Sequence, residues 1–281
     1  MIDPVGPCAP GKAGSAAYVA MTNLGFAAAG VRGITMVVSS GDSGAHGRTD
    51  DGCAKPKTLP DWPTSSQYIL AVGATAVKKG TSTPLAAPKS PFCKAPPAGF
   101  NNCAGGGTEI VASTATGALI VSGGGFSNVA PTPTWQAAQV KAFLAAGGLL
   151  PPSAADYNAS GRAYPDVSAL GHNYPIFAEG RWVAVDGTSC SSPVFGAVVA
   201  LANAARLAAG KKTLGMIAPA IYAIAKSTPA AFNDITEGDN KCTEQGCAPG
   251  CTGFGAVKGF DVPTGVGTPN IPALIKALAA L

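Results

Sequence analysis

The order of helical, apolar and glycine-rich segments predicts an α/β fold built on a mostly parallel sheet. Three observations carry that reading. The runs ITMVVSS (Ile34 to Ser40) and SSQYILAVGATAV (Ser65 to Val77) hold apolar and β-branched residues with no polar alternation, as strands covered on both faces do. Ala-rich stretches of helical character lie on either side of them, which is the grammar of crossover connections. The 281 residues are 47% hydrophobic and 12% charged, enough apolar material for one large α/β core.

Taken in order, SAAYVAMTNLGFAAAGV (Ser15 to Val31) reads as a helix packed on a face of small side chains and ended by Gly33. The two strands follow. Residues 78 to 116 are rich in Pro, Gly, Ser and Cys and read as an irregular surface excursion. TPTWQAAQVKAFLAAGG (Thr132 to Gly148) reads as a helix with its N-cap at Thr132 or Thr134 and Gly147 at its end. RWVAV (Arg181 to Val185) is a short strand. It feeds the longest helix, expected from Ser189 to Ala209, with Pro193 in the first turn and Gly210 and Lys211 closing it. No internal repeat and no linker divides the chain, so residues 1 to 281 are expected to form one domain.

The charge pattern excludes some partners. A formal net charge of +4 is spread as isolated Lys and Arg with no basic block, so nucleic acid and membrane surfaces are not expected partners. No run of about eighteen apolar residues is free of polar interruption. The first residues, MIDPVGPCAP, have neither the basic nor the apolar region of a secretion signal. Eight cysteines, several in Gly- and Pro-rich loops, read instead as disulfide partners from an oxidising compartment. Cys93 is expected to pair with Cys103, and Cys53 with one of Cys242, Cys247 or Cys251, leaving Cys190 free. The cluster at Cys242, Cys247 and Cys251 has no nearby His and no CxxC pair, which argues against zinc. Asn158-Ala159-Ser160 is a glycosylation sequon. Oligomeric state is not legible.

Two serines compete for the role of nucleophile. Ser43 lies in Gly-Asp-Ser-Gly, but a chymotrypsin-like triad needs a His and an Asp in a β-barrel before it, and no His precedes it. His46 and His172 both follow, in loops, and read as solvated or structurally hydrogen-bonded. Ser189 stands where a strand feeds a helix N-terminus, beside free backbone N–H groups and the positive end of the dipole, with Gly187 allowing close backbone approach. On Gly-Thr-Ser alone, an ordinary helix cap explains the residue equally well.

DGTSCSSPVFG (Asp186 to Gly196) resembles the Gly-Thr-Ser-x-Ser-x-Pro signature that subtilisins share with the sedolisin, or serine-carboxyl peptidase, family. SSGDSG (Ser39 to Gly44) separates the two, because sedolisins carry an Asp where subtilisins carry an oxyanion-hole Asn. SGGGFSNVAPTPTWQ, YNASGRAYPDVSALG, FNDITEG and GFDVPTGVGTPNIPALIKAL extend the resemblance to the tripeptidyl-peptidase I-like sedolisins over nearly the whole chain from about Gly30.

The resemblance implies a subtilisin-like three-layer α/β fold and a serine-type peptidase acting on peptides or proteins as an endopeptidase, a tripeptidyl-peptidase or both. It implies Ser189 as nucleophile and Asp42 as the oxyanion-hole acid. An aspartate donates to an oxyanion only when protonated, which suits acidic pH and a secreted, lysosomal or vacuolar setting. It implies one Ca²⁺ held by Asp234 and Asp261 with carbonyls of Ile235, Val257 and Gly259, in a loop region at about 232 to 270. The family's base, a Glu paired with an Asp four residues on, lies upstream of the Asp42 loop. Asp3 is the only acid before Asp42 and has no such partner, so the chain is expected to be the C-terminal, larger portion of a sedolisin-type domain, with no more than residual activity alone. The rival expectation is a catalytically inactive peptidase-like binding domain. Asp186, where the family usually has Ser, would, if ionised, oppose an oxyanion and raise neighbouring acid pKa values. Cys190 reads as a small filler, and Asp166 as an ion-pair partner of Arg162.

Overall fold

The computed structural model describes residues 15–78 and 107–281. Cys8, Cys93 and Cys103, and with them the expected Cys93–Cys103 bridge, lie outside the described residues.

Helix α1 (Ser15–Val31) has the bounds read from the sequence. Its packing differs: Val19 is buried, while Met21, Leu24 and Val31 are exposed. Strand β1 (Val37–Ser39) is shorter than its apolar run and half-buried rather than fully buried. The reason is its position, since among the described residues it pairs along one side only, in parallel with β2 (Leu70–Lys78). Strand β2 is the centre of the sheet and is buried from Leu70 to Ala76. Strand β3 (Thr108–Val111) pairs antiparallel with its far end. That strand corrects the reading of 78 to 116 as wholly irregular. Its Ile110 joins Ala74, Ala76 and Ile120 in a small apolar cluster that the Pro and Gly around it obscured.

After the ribbon strand β4 (Gly125–Pro131) comes α2 (Ala137–Ala145), which neither Thr132 nor Thr134 caps. The Thr132 hydroxyl donates to the Gly161 carbonyl instead. Gly147, with φ 71°, does end that helix. Strand β5 (Gly161–Tyr164) pairs antiparallel with β4, and β6 (Val167–Leu170) joins β2 in parallel, so two of the three pairings of β2 are parallel. A hairpin of β7 (Tyr174–Ala178) and β8 (Arg181–Val185) then leads into α3 (Thr188–Ala208).

Helix α3 packs on β1, β2 and β6 and buries Phe195, Val198, Val199 and Ala202. By length and composition it could cross a membrane, but here it is the helix against the sheet. It ends as expected: Gly210 is left-handed at φ 72° and the Lys211 amide donates to the Arg206 carbonyl. Pro193 is a correction: it lies beyond the first turn, where its missing N–H leaves the Ser189 carbonyl one turn back without that donor. Helix α4 (Ala218–Ser227), the short strands β9 (Phe232–Asn233) and β10 (Thr268–Pro269), and helix α5 (Ile271–Ala280) complete the described chain.

One buried polar network joins these layers. Arg162 and Asp166 form an ion pair at 2.6 Å, with both side chains fully buried. The second Asp166 oxygen accepts from the Tyr222 hydroxyl of α4 at 3.0 Å, and the Ala71 amide of β2 donates to the first at 2.8 Å. Gln136, just before α2, donates to the Tyr222 oxygen and accepts from the Ala163 amide. Burial, with the Asp166 charge beside it, pushes the Tyr222 phenol well above its ordinary value, so it stays a neutral donor.

Asp166→Ala, which leaves Arg162 buried without its partner, is expected to destabilise the fold by about 3–5 kcal/mol. Equilibrium urea unfolding checks this. A loss below about 1 kcal/mol would show that the network is not a principal support.

Candidate active site

The site begins where β1 ends. Gly41 has φ +107°, and a Cβ placed there would lie 2.5 Å from the Asp61 carboxylate, so the turn requires glycine. Backbone bonds stitch the turn to the neighbouring segment: the Val121 amide donates to the Asp42 carbonyl and the Gly123 amide to the Gly41 carbonyl. The chain thus delivers Asp42, half-buried, to a cavity of about 220 Å³ whose wall also contains Ser189, Asp61, Trp62 and Arg48.

The two motifs meet through Thr188. Its backbone amide and its hydroxyl both donate to Asp42 Oδ1 at 2.8 Å, and its hydroxyl accepts from the Gly41 amide at 3.2 Å. Thr188 is fully buried, so these bonds are shielded from water. Ser189 is exposed in the first turn of α3, facing the same cavity, where the N-terminal amides favour developing negative charge. The structure therefore brings together the two residues, Asp42 and Ser189, that the sequence placed 147 positions apart. Gly187 departs from its expected role. Its φ of 162° is extended backbone, and an added Cβ would meet Ser189 only at ordinary contact distances.

Two residues escaped the sequence reading. Thr188 stood inside the Gly-Thr-Ser motif, and only the fold shows which carboxylate its hydroxyl meets. Arg48 carries no motif signal at all. Its Nη2 donates to Asp42 Oδ2 at 3.2 Å, while its Nε and Nη2 grip Glu244 at 2.9 and 2.7 Å. Ser43, the rival serine, is buried, and its hydroxyl donates to Asp51 at 2.7 Å with Glu244 also within reach at 3.2 Å, which makes it a structural residue.

Both histidines are structural and each has a carboxylate partner. His46 is fully buried, paired with Asp50 through Nδ1 at 3.0 Å and accepting from the Thr252 amide at Nε2. His172 pairs with Asp186 at 2.7 Å. The Asp186 carboxylate is thus not loose beside the nucleophile, for it also accepts from the Leu119 and Asn173 amides. Burial alone would raise the Asp186 carboxyl, but these hydrogen bonds outweigh it and hold the group below the ordinary carboxylate value. Cys190 is free, and burial, then the Asp186 and Asp42 charges, pushes its thiol up, which disfavours a thiolate nucleophile.

Cys53 bonds Cys251, and Cys242 bonds Cys247, the first within the choices read from the loops. These bridges fit an oxidising compartment.

The residues expected to hold calcium lie in one loop system. Asp261 is fully buried, and its donors are the amides of Val257 and Thr264 and the Thr264 hydroxyl, all neutral. The Gly259 amide donates to Asp234, and the Asp234 charge adds to the burial that pushes the Asp261 carboxyl well above its ordinary value. A buried carboxylate facing a second carboxylate suits a divalent cation. Among the described residues no three His, Cys, Asp or Glu side chains gather as a metal cluster, so further ligands would have to be carbonyls such as those of Ile235, Val257 and Gly259.

Physarolisin of Physarum polycephalum is 44% identical over 99% of this chain and 47% of its own length. Tripeptidyl-peptidase 1 of Canis lupus familiaris is 38% identical over 94% of this chain and 40% of its own. The chain thus spans about half the length of the curated relatives it matches, or less. A solved structure of Pseudomonas sedolisin (serine-carboxyl proteinase), complexed with two molecules of pseudo-iodotyrostatin, superposes with a TM-score of 0.66 at 26% identity, covering 93% of this chain and 60% of that one. No family model matches.

The Asp186 pair gives a pH prediction. Because the folded carboxyl sits below its ordinary value of 3.8, its contribution is complete above that value and is lost as pH falls through the folded one. Asp186→Asn is expected to cost about 1–3 kcal/mol at neutral pH, and the difference from the parent should shrink as the pH drops below the carboxylate range. Urea unfolding at several pH values reads it. A difference that stays constant or grows toward low pH would contradict the assignment.

Proposed function

The chain belongs to the sedolisin (serine-carboxyl peptidase) family, resembling tripeptidyl-peptidase 1, and from that premise we propose that it provides the nucleophile and oxyanion-hole half of an acid-acting serine peptidase. The observation that carries this is the Thr188 clasp, which sets the Asp42 carboxyl beside an exposed Ser189 in one cavity. In this mechanism Ser189 Oγ attacks the peptide carbonyl, forming the Oγ–C bond while its proton passes to the Glu of the family's Glu–Asp pair and the carbonyl electrons move to oxygen. That oxygen is met by a protonated Asp42 at the positive N-terminal end of α3, which explains a preference for acidic pH. Collapse of the intermediate, with that proton delivered to the leaving nitrogen, breaks the C–N bond, releases the amine and leaves an acyl-Ser189; water then attacks the acyl carbon, giving up its proton to the same base, which returns it to Ser189 Oγ as the acid is released.

Among the described residues, Asp42 and Asp61 are the carboxylates lining the cavity, and neither belongs to the Glu–Asp pair that the resemblance implies as base. That pair acts from upstream of the Asp42 loop. The substrates are peptides or proteins, and the setting is acidic and oxidising, secreted or lysosomal/vacuolar, in keeping with the two bridges.

Asp234 and Asp261, with carbonyls of Ile235, Val257 and Gly259, are the residues that would hold one Ca²⁺. When bound, the ion supplies charge compensation to the buried carboxylate and pins the C-terminal loops. It takes no part in bond making.

Two measurements test these assignments. The chain preceded by its upstream coding sequence should cleave peptides at acidic pH, and Ser189→Ala should lower kcat/KM by at least about 10³-fold. Asp42→Asn should lose most activity at low pH and less near neutrality. Peptide binding with no Ser189-dependent turnover would instead favour a binding domain. For the metal, free Ca²⁺ at a hundred times its Kd should raise stability by about 2.7 kcal/mol, and chelator should lower Tm in the parent but not in Asp261→Asn. A parent Tm indifferent to chelator would remove the ion from the account.

A further inference from the structure

Every contact described for the Asp42 carboxyl makes it a hydrogen-bond acceptor. Oδ1 takes two donors from Thr188, and Oδ2 takes the Arg48 guanidinium. Yet the proposed chemistry requires Asp42 to donate, from a proton on one of those oxygens, to an oxyanion. Thr188 is buried and belongs to the helix end, so its two bonds are fixed. Arg48 is not fixed in that way, because its side chain is 67% exposed; its Nη2 and Nε also bond Glu244, a residue of the distant loop that the Cys242–Cys247 bridge closes.

We propose that Arg48, anchored by Glu244, is a positioning residue that holds Asp42 Oδ2 as an acceptor, and that the oxyanion-binding form of the site arises when the guanidinium withdraws from that oxygen. This rests on the peptidase reading above. The guanidinium fork explains the arrangement: Arg donates in two directions at once, so Nη2 reaches Asp42 while it and Nε stay on Glu244. Several acids lie around this contact. Asp61 lies across the same cavity, Asp51 and Glu244 meet the neighbouring Ser43 hydroxyl, and Asp186 precedes the helix that carries the Cys190 thiol. Arg48 is the cation set among these acids, and its contact decides the balance between acceptor and donor at Oδ2. Thr188 fixes where Asp42 points, and Arg48 fixes which role it plays.

The test compares the parent with Arg48→Gln and Arg48→Lys. Its first readout needs no catalysis: the Asp42 side-chain carboxyl carbon is followed by NMR through a pH titration of the ligand-free chain. Removing the guanidinium should move the Asp42 midpoint upward, with an effect of about threefold on the protonation equilibrium, as for an exposed ion pair. Lys keeps the charge but not the fork, so its midpoint should fall between the other two. Midpoints that coincide in the parent and Arg48→Gln would overturn the proposal.

The second readout is the affinity of a peptidyl aldehyde, whose adduct with Ser189 places an oxygen at the oxyanion position, relative to the matching peptidyl alcohol, which forms no adduct. In Arg48→Gln the aldehyde's advantage should persist to higher pH than in the parent. Aldehyde binding unaffected by Ser189→Ala would refute the peptidase reading and leave the NMR result to judge the Arg48–Asp42 contact. Aldehyde binding that requires Ser189 but has the same pH dependence in the parent and Arg48→Gln would refute the positioning role alone.

Discussion

The described fold depends on the buried pair of Arg162 and Asp166. Each lone charge would be costly in the interior, and together they are tolerated because further hydrogen bonds surround both. Asp166 ties the central strand through the Ala71 amide and α4 through Tyr222, while the Arg162 Nε donates to the Ser66 carbonyl ahead of that strand. Gln136 brings in the start of α2. Five segments therefore share one set of bonds, and a shift in any of them would strand a buried polar group. This gives the sheet a fixed register, and the sheet in turn sets where β1 ends and α3 begins.

The candidate site is built from those two ends. Strand β1 stops at a turn that only glycine can make, α3 starts with Thr188 pointing inward, and the Thr188 hydroxyl bridges the Gly41 amide and the Asp42 carboxylate. The result is a carboxyl of fixed direction beside an exposed serine. Around it, the acidic side chains are held in paired contacts: Asp186 with His172, Asp50 with His46, and Glu244 with Arg48. Asp186 shows how such a departure can be accommodated. The same carboxylate that seems hostile to an oxyanion in the linear sequence becomes the anchor at the neck of the β7–β8 hairpin, because His172 and two backbone amides surround it.

The C-terminal loops have little regular structure to hold them, and cross-links take its place. The Cys53–Cys251 bridge joins them to the segment after the Asp42 loop, and the buried His46 accepts from the Thr252 amide beside it. Asp261 is tucked under its own turn by Thr264. These contacts bring Glu244 within reach of Arg48, so the loops that carry no catalytic motif still touch the site.

What the sequence alone determined was what depends on local patterning. The bounds of α1, the apolar course of β2, the closure of α3 by Gly210, the strand-to-helix placement of Ser189 and the pairing of Arg162 with Asp166 all follow from periodicity, capping chemistry and short spacing. Errors fell where a residue had two competing uses. Thr132 could cap a helix but bonds Gly161 instead, Pro193 sits deeper in its helix than its preference for first turns suggested, and Thr108–Val111 forms a strand despite the Pro- and Gly-rich sequence before it. Only the tertiary structure decided that Thr188 clasps Asp42, that Arg48 bridges Asp42 and Glu244, and that Cys53 chooses Cys251. Hydrogen bonds and ion pairs between segments separated by more than a hundred residues leave no period in the chain, because their partners are chosen by how the layers stack and not by how far apart they lie along the backbone.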